Sequence, residues 1–389
     1  MIIRISPLDT FFFRDGKPFS MGEETWADGI FPPAPSVIYG ALRSIFLANK
    51  KALHLEKAQL DKLTDDLRIK SIHLEFRIDG GRWRTYFPVP NDFVKIKQDT
   101  SGDSNETCIL ELFPNDLISN FNFDFFPSKI FYDKNGNVKN RKVEAVAENS
   151  LFRSSTYESY LEGEGETLGY IKDYLLSEPK VGIGRNKITR TSEEGNLYRV
   201  DMKRLGDFQF GEDHKYKPEN IRFAIDFDFE DWQLMGKQLF KMGGEGKIFG
   251  GEVEDSSLEE LEFPELLTKN GKTYFKVCLL TPCFFEQGLL PSWIDKNDYT
   301  GSYQNLKLKL LSVVSKRPIS IGGFDMKAKG PKYMRKAMPS GSVYYFECEG
   351  NESAINEKIK RVFHHQSISE WGKKQGFGIA VVGRPQINF

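Results

Sequence analysis

The chain has 389 residues, 39% of them hydrophobic, and its 54 Lys and Arg against 55 Asp and Glu leave a formal charge of −1. That length makes two domains the expectation and that apolar content supports true cores, while no stretch of about eighteen apolar residues offers a membrane-crossing helix. A charge near zero excludes a uniformly basic nucleic-acid binder, but the distribution of charge decides more than its sum.

Met1-Ile2-Ile3-Arg4-Ile5 reads as an opening strand over 2–6; it lacks the basic start and apolar run of a secretion signal, so a cytoplasmic protein is expected. Residues 35–52 read as a helix, with Pro35 near its first turn and Val37, Ile38, Ala41, Leu42, Ile45 and Phe46 on one face. A hairpin follows, 72–78 and 83–87, joined through Asp79-Gly80-Gly81. Residues from about 90 to 220 read as an insertion. Beyond it, 221–229 alternates like a half-buried strand, 230–242 reads as a helix, and the glycine loop Gly243-Gly244-Glu245-Gly246-Lys247 leads into Ile248-Phe249.

In the last third, 273–281 reads as a strand. Residues 304–314 are assigned a helical piece although Leu306-Lys307-Leu308-Lys309-Leu310 alternates with a strand period. Strand-like 317–324 and 343–348, a helix at 352–371 and a strand at 378–383 complete the chain. A second glycine loop, Gly372-Lys373-Lys374-Gln375-Gly376-Phe377-Gly378, precedes the final strand, so strand, helix, glycine loop and strand occur in that order twice. Each half fits β-α-β-β-α-β, the ferredoxin-like order. The expected architecture is α+β, with two ferredoxin-like domains at 1–265 and 266–389 and the insertion at about 90–220 in the first.

Glycine admits positive φ and lets another backbone come close, so each loop offers amide donors suited to a phosphate chain; a helix C-cap is the alternative. Residues 316–336 carry seven Lys or Arg against Asp325 alone, and 180–204 carry seven against Glu193, Glu194 and Asp201, whereas 252–265 hold seven carboxylates and no base. Charge runs also arise as solvated faces. Here Gly182, Gly184, Tyr198, Gly322, Gly323, Phe324 and Tyr333 interleave stacking faces and open backbone with the cations, which suits single-stranded RNA. The acidic stretch suits a loop that avoids RNA or meets a basic partner subunit.

Enzymatic motifs fail one by one. A Walker A loop ending at Lys247 needs Gly at 241 and a hydroxyl at 248, where Lys241 and Ile248 stand, and Gly182-Ile183-Gly184-Arg185-Asn186-Lys187 breaks GxGxxG at its last position. Cys108, Cys278, Cys283 and Cys348 are scattered, unlike a zinc site, and read as buried reduced thiols. His54, His73, His214, His364 and His365 are the acid-base candidates for cutting RNA through its 2′-hydroxyl. His364 and His365 fall late in a helix, where a cation caps the dipole, and His73 is expected to face out of its strand. Asp9 and Asp15, flanked by Arg14 and Lys17, read as ion-pair or turn residues before metal ligands. No catalytic residue and no metal is assigned.

Residues 7–19, Pro7-Leu8-Asp9-Thr10-Phe11-Phe12-Phe13-Arg14-Asp15-Gly16-Lys17-Pro18-Phe19, resemble the opening signature of the third subunits of Cmr complexes, RAMP-superfamily proteins of type III-B CRISPR effectors. Further stretches resemble that family in the same order: Phe31-Pro32-Pro33-Ala34-Pro35-Ser36, Pro179-Lys180-Val181-Gly182-Ile183, Gly195-Asn196-Leu197-Tyr198, the Gly243 loop, Pro339-Ser340-Gly341-Ser342-Val343 and Gly376-Phe377-Gly378. Phe11 and Phe12 depart from it where an aliphatic residue is common, as does Gly322-Gly323-Phe324-Asp325 where Gly-Trp-Asp is common.

The resemblance implies two RAMP domains that hold the 5′ tag of a CRISPR RNA and dock on the large polymerase-like subunit and the backbone RAMP subunits, without a cofactor or reaction of their own. The RNA contacts it implies are Arg14 and Lys17; Arg185, Lys187, Arg190, Tyr198 and Arg199 on a protruding hairpin at about 180–200; and Gly243, Gly244, Gly246 and Lys247. The resemblance adds Gly376 and Gly378, and the basic, aromatic stretch at 316–336 adds Gly322, Gly323, Phe324, Lys327, Lys329 and Lys332. A metal-independent, repeat-processing RAMP endoribonuclease is the alternative.

Overall fold

The computed structural model describes residues 1–14, 26–52, 55–77, 81–97, 106–115, 123–132, 138–139, 141–164, 168–185, 188–189, 191–206, 208–210, 214–216, 220–256, 258–325, 330–350 and 353–389. Over these residues it is mixed, with 44% strand against 14% helix.

Strand Ile2–Pro7 buries Ile3 and Ile5 in one core with Ile38, Leu42 and Ile45 of the helix Pro35–Asn49. Period-2 alternation on the strand and 3.6-residue spacing on the helix place these side chains together. The strand is paired antiparallel on both sides, with Ile221–Asp228 and with Ile248–Glu254. Ile221–Asp228 pairs in turn with Arg68–Arg77, which makes a hairpin with Trp83–Pro88. Leu151–Arg153 forms one edge of this seven-stranded sheet and Gly236–Lys241 the other.

A second sheet is centred on Lys272–Leu279, flanked by Val343–Glu349 and Ile379–Gly383. Leu306–Val314 and then Thr300–Tyr303 extend it beyond Val343–Glu349. In both sheets the four main strands, counted along the chain, stand in the order fourth, first, third, second. The helices are complementary. Among the described residues the first sheet has Pro35–Asn49 and the short Lys57–Leu63 between its first and second strands, with Ser154–Leu161 before its third, whereas the second has Ser353–Phe363 between its third and fourth.

Several expected elements are corrected. Residues 230–242 are not a helix: Gly236 takes φ +73, and Gly236–Lys241 forms a hairpin with Ile248–Glu254 in which Lys237, Leu239 and Lys241 point outward. The expected helical piece at 304–314 is the strand Leu306–Val314, because Leu306, Leu308 and Leu310 all reach the core on one face. The helix assigned to 352–371 ends at Phe363, and His365, at φ +55, turns the chain out of it. The hairpin arm Trp83–Pro88 lies outside the central four strands, where Ile221–Asp228 takes the third place.

A third core lies between the two sheets. Phe87, Phe93, Phe152, Tyr157 and Tyr160 pack there against Cys278, Tyr345 and Val381 of the second sheet. Its polar heart is Asp92, whose carboxylate accepts hydrogen bonds from Tyr160 (2.6 Å) and Tyr345 (2.7 Å) and pairs with Lys276 at 3.4 Å, all of them buried. Burial first, then Asp92, pushes both phenols well above their ordinary value, so they stay donors. Part of the expected insertion thereby forms a layer on the C-terminal sheet.

Candidate nucleic-acid interface

Three separate sequence segments meet just beyond the opening strand. Residues 8–14 run on from it, held by paired backbone bonds between Phe11 and Lys203 (2.8 Å each way) and by the Gly244 amide donating to the Phe12 carbonyl (2.8 Å). The bonds to Lys203 tie the segment to a long hairpin, Leu175–Arg185 with Ser192–Leu205; the bond from Gly244 ties it to the glycine turn between Gly236–Lys241 and Ile248–Glu254. Phe12 packs with Ala27, Val200 and Met202, and Phe11 with Phe13, Phe31 and Phe249.

The turn needs glycine for a reason internal to the protein. Gly243 has φ +80, and a Cβ there would stand 2.5 Å from the Phe12 carbonyl oxygen and 2.8 Å from the Phe13 ring. Gly246, at φ +64, faces open space. The close backbone approach foreseen for a phosphate chain is therefore made at Gly243 by Phe12.

What this packing presents outward is a pair of cations. Lys247 Nζ donates to Thr10 Oγ1 at 2.9 Å and Lys180 Nζ donates to the same oxygen at 3.1 Å. Thr10 is buried, while Lys180 is half exposed and the Lys247 side chain retains 19% exposure. Two ammonium groups sharing one oxygen lie within about 6 Å of each other, a repulsion of roughly 3 kcal/mol at an effective dielectric of about 20. Asp9 offsets part of it: its carboxylate lies 3.6 Å from Lys247 and is 69% exposed. The Thr10 amide, with the two lysines, holds that carboxyl below the usual carboxylate range. The ion-pair reading of Asp9 agrees with this geometry; Asp15 lies outside the described residues.

Of the expected contacts, Arg14 is exposed and bridges to Gly29, and Arg199 is exposed on the hairpin. Tyr198 is half-buried, its ring lying over Gly182, where a Cβ would be 2.2 Å from Cζ. Arg185 belongs to the hairpin strand, and Lys17, Lys187 and Arg190 lie outside the described residues.

A second hairpin carries the other basic stretch. Ile319–Ile321 pairs with Arg335–Ala337 and Phe324–Asp325 with Gly330–Pro331; Lys327 and Lys329 lie outside the described residues. Ile321 and Ala337 root it on Ala34, Phe284 and Phe377. Gly322 sits under Met334, and the Lys332 amide donates to the Gly323 carbonyl at 2.9 Å. Tyr333 is 94% exposed, beside exposed Lys332, Arg335 and Lys336. Tyr333 was among the expected stacking faces but not the named contacts, and those contacts omitted Lys180 and Thr10 altogether.

The second glycine loop is not a structural twin of the first. It holds the short 3-10 helix Lys373–Gln375 and packs onto the first sheet: a Cβ on Gly376 would stand 2.8 Å from Ile69, and Thr281 donates to the Gly376 carbonyl at 2.7 Å. Gly378 likewise leaves room for Ser369.

The histidines correct two expectations. His73 faces inward, because the C-terminal unit covers its side of the sheet; it meets the Phe87 ring, and burial, then His365, pushes it down to about 3. His364 is not a capping cation. Its Nδ1 accepts the Val382 amide at 3.1 Å, which leaves the neutral ring's proton on Nε2 to donate to the Leu261 carbonyl at 2.8 Å, and burial pushes it down to about 4. His365 shares that carbonyl at 3.1 Å. These residues border a cleft of about 760 Å³ where Arg68, Lys70 and Arg361 face Asp226, Asp228 and Glu260, mixed charge with little net pull on a phosphate chain.

His54 lies outside the described residues. All four cysteines are buried and unpaired. Among the described residues no three His, Cys, Asp or Glu gather as metal ligands would, and no helix is long and apolar enough to cross a membrane.

The model of the family described as CRISPR-associated protein (Cas_Cmr3) matches residues 3–385. No curated protein matches the sequence. Solved structures similar to the chain include a cryo-EM structure of the Type III-B Cmr-beta bound to cognate target RNA and AMPPnP, state 1, at 18% identity with a TM-score of 0.49. Another is the Type III-B Cmr-beta bound to cognate target RNA, at 18% identity with a TM-score of 0.47. Each match covers 93% of this chain and 89% of the other.

Proposed function

The chain belongs to the Cas_Cmr3 family of CRISPR-associated proteins, and from that membership we propose that it is a non-catalytic, RNA-holding component of a type III-B Cmr complex in the cytoplasm. In this reading it grips the 5′ tag of the CRISPR RNA and docks on the large polymerase-like subunit and the first backbone subunit. Two ferredoxin-like units, 1–265 and 266–389, would carry it; the shared strand order supports that division. Of the insertion at about 90–220, the early part covers the second unit and the later part forms the long hairpin.

The observation that carries the reading is the lysine pair on Thr10, set where the opening signature, the glycine turn and the hairpin base converge. Arg14 and Arg199 add charge around it, and Tyr333 with Lys332, Arg335 and Lys336 supplies a second cationic surface with a free stacking face. The repeat-cutting alternative loses its acid-base candidates at His73 and His364, which are buried and neutral.

The test is the salt dependence of affinity for a fluorescein-labelled single-stranded RNA bearing the tag. Each lysine that neutralises a phosphate contributes about −0.7 to the slope of log affinity against log salt. Lys180→Gln with Lys247→Gln is expected to flatten the slope by about 1.4 in a protein of unchanged circular dichroism. An unchanged slope removes this surface from the RNA path.

A further inference from the structure

We propose that Asp9 is a built-in stand-in for a phosphate: in the free chain its carboxylate occupies the mouth of the Lys180–Lys247–Thr10 site, and an RNA phosphodiester displaces it on binding. The inference rests on the reading of that site as an RNA contact and adds a competitor within the chain itself.

Lys180 and Lys247 are held from below, both donating to the buried Thr10 oxygen, so the cation pair is in place before any ligand arrives. Asp9 is held far less. Its only ion pair among the described residues is with Lys247, at 3.6 Å, it is 69% exposed, and apart from that pair it leans on the Thr10 amide, a bond that water can replace at so exposed a group. Solvent around it makes departure cheap, as for exposed ion pairs generally.

The carboxylate also leaves the site incompletely neutralised. Lys180 lies 3.7 Å from Glu178, which Arg204 approaches at the same distance, so the local set is three cations and two carboxylates. A phosphodiester brings two unesterified oxygens, enough to meet both ammonium groups at once, where Asp9 pairs with one. Backbone geometry makes the exchange local. Phe11 and Phe12 are fixed to Lys203 and Gly244 by main-chain bonds, and the Leu8 amide donates to the Ile248 carbonyl at 3.2 Å, so rotation of one side chain opens the site without moving the strand.

A double-mutant cycle tests this on the purified full-length protein with the labelled tag RNA and, as a separate arm, inorganic phosphate as competitor. Asp9→Asn is expected to tighten RNA binding about two- to fivefold, the range an exposed ion pair commands. That gain is expected to vanish in the Lys180→Gln/Lys247→Gln background, and phosphate is expected to compete more strongly against Asp9→Asn than against the parent. An equal gain in both backgrounds makes Asp9 a distant negative charge and overturns the proposal. No gain, with the lysine variants still weakened, overturns it as well while leaving the RNA site standing. Lysine variants that bind like the parent overturn the RNA reading of the site and the inference together.

Discussion

His73 and His364 take up protons more easily in the unfolded chain than in the folded one. Burial lowers them to about 3 and about 4 from the 6.5 of a free imidazole. Their contribution is therefore whole above pH 6.5 and is lost as pH falls from there toward 4, at about 1.4 kcal/mol per pH unit for each. Urea unfolding at pH 7, 6 and 5 is expected to show that decline, and His73→Leu to flatten it by that residue's share; a parent flat over this range would contradict the buried neutral assignment. Alternation in the sequence identified the strand that carries His73 but not its direction, since both faces of that sheet are covered here. Lys247 was legible because it follows a glycine turn. Lys180 and Thr10 were not, because they meet only through contacts 170 and 237 residues apart along the chain. Tyr333 was visible as an aromatic among cations, but only its exposure marks it as a stacking face.

Among elements, the glycine turn and the two hairpins differ most in how far the sequence foretold them. The hairpin over 175–205 was expected at about 180–200 from the family resemblance, with a turn at Ser192–Asn196 that instead belongs to the strand Ser192–Leu205, and the turn at 243–247 was placed correctly but given a helix before it. Lys237-Gln238-Leu239-Phe240-Lys241 spans too few residues to separate strand from helix by period alone, and Gly236 at φ +73 tips it to a strand. The turn's two glycines should now respond differently. Gly243→Ala forces a Cβ into the Phe12 carbonyl as well as the left-handed strain, and is expected to cost roughly 2–4 kcal/mol; Gly246→Ala bears the strain alone, about 1–2 kcal/mol. Chemical denaturation of the two variants checks the order. On the long hairpin, Ile188 is 92% exposed and Thr189 and Thr191 are exposed. Limited proteolysis of the free protein is expected to cut near 188–191, and saturating tag RNA to slow that cut; equal rates would take the hairpin tip off the RNA path.

Across the whole molecule, the Asp92 network joins residues that no local pattern relates. Asp92→Ala leaves the Lys276 ammonium buried without its carboxylate, and is expected to cost about 3–5 kcal/mol in urea unfolding. Most strands of the two sheets were legible from alternation, but the recurrence of strand, helix and glycine loop did not hold, since a strand precedes the first loop and the second packs onto the first sheet. The third core was not, because Phe93, Tyr157 and Tyr160 find their partners at Cys278, Tyr345 and Val381, more than a hundred residues further along the chain. That core also sets a clock on biosynthesis. Asp92 leaves the ribosome 184 residues before Lys276 and 253 before Tyr345. At about 5–20 residues per second, the early layer waits roughly ten to fifty seconds with an aromatic face unmatched, and the nascent chain needs shielding for that interval.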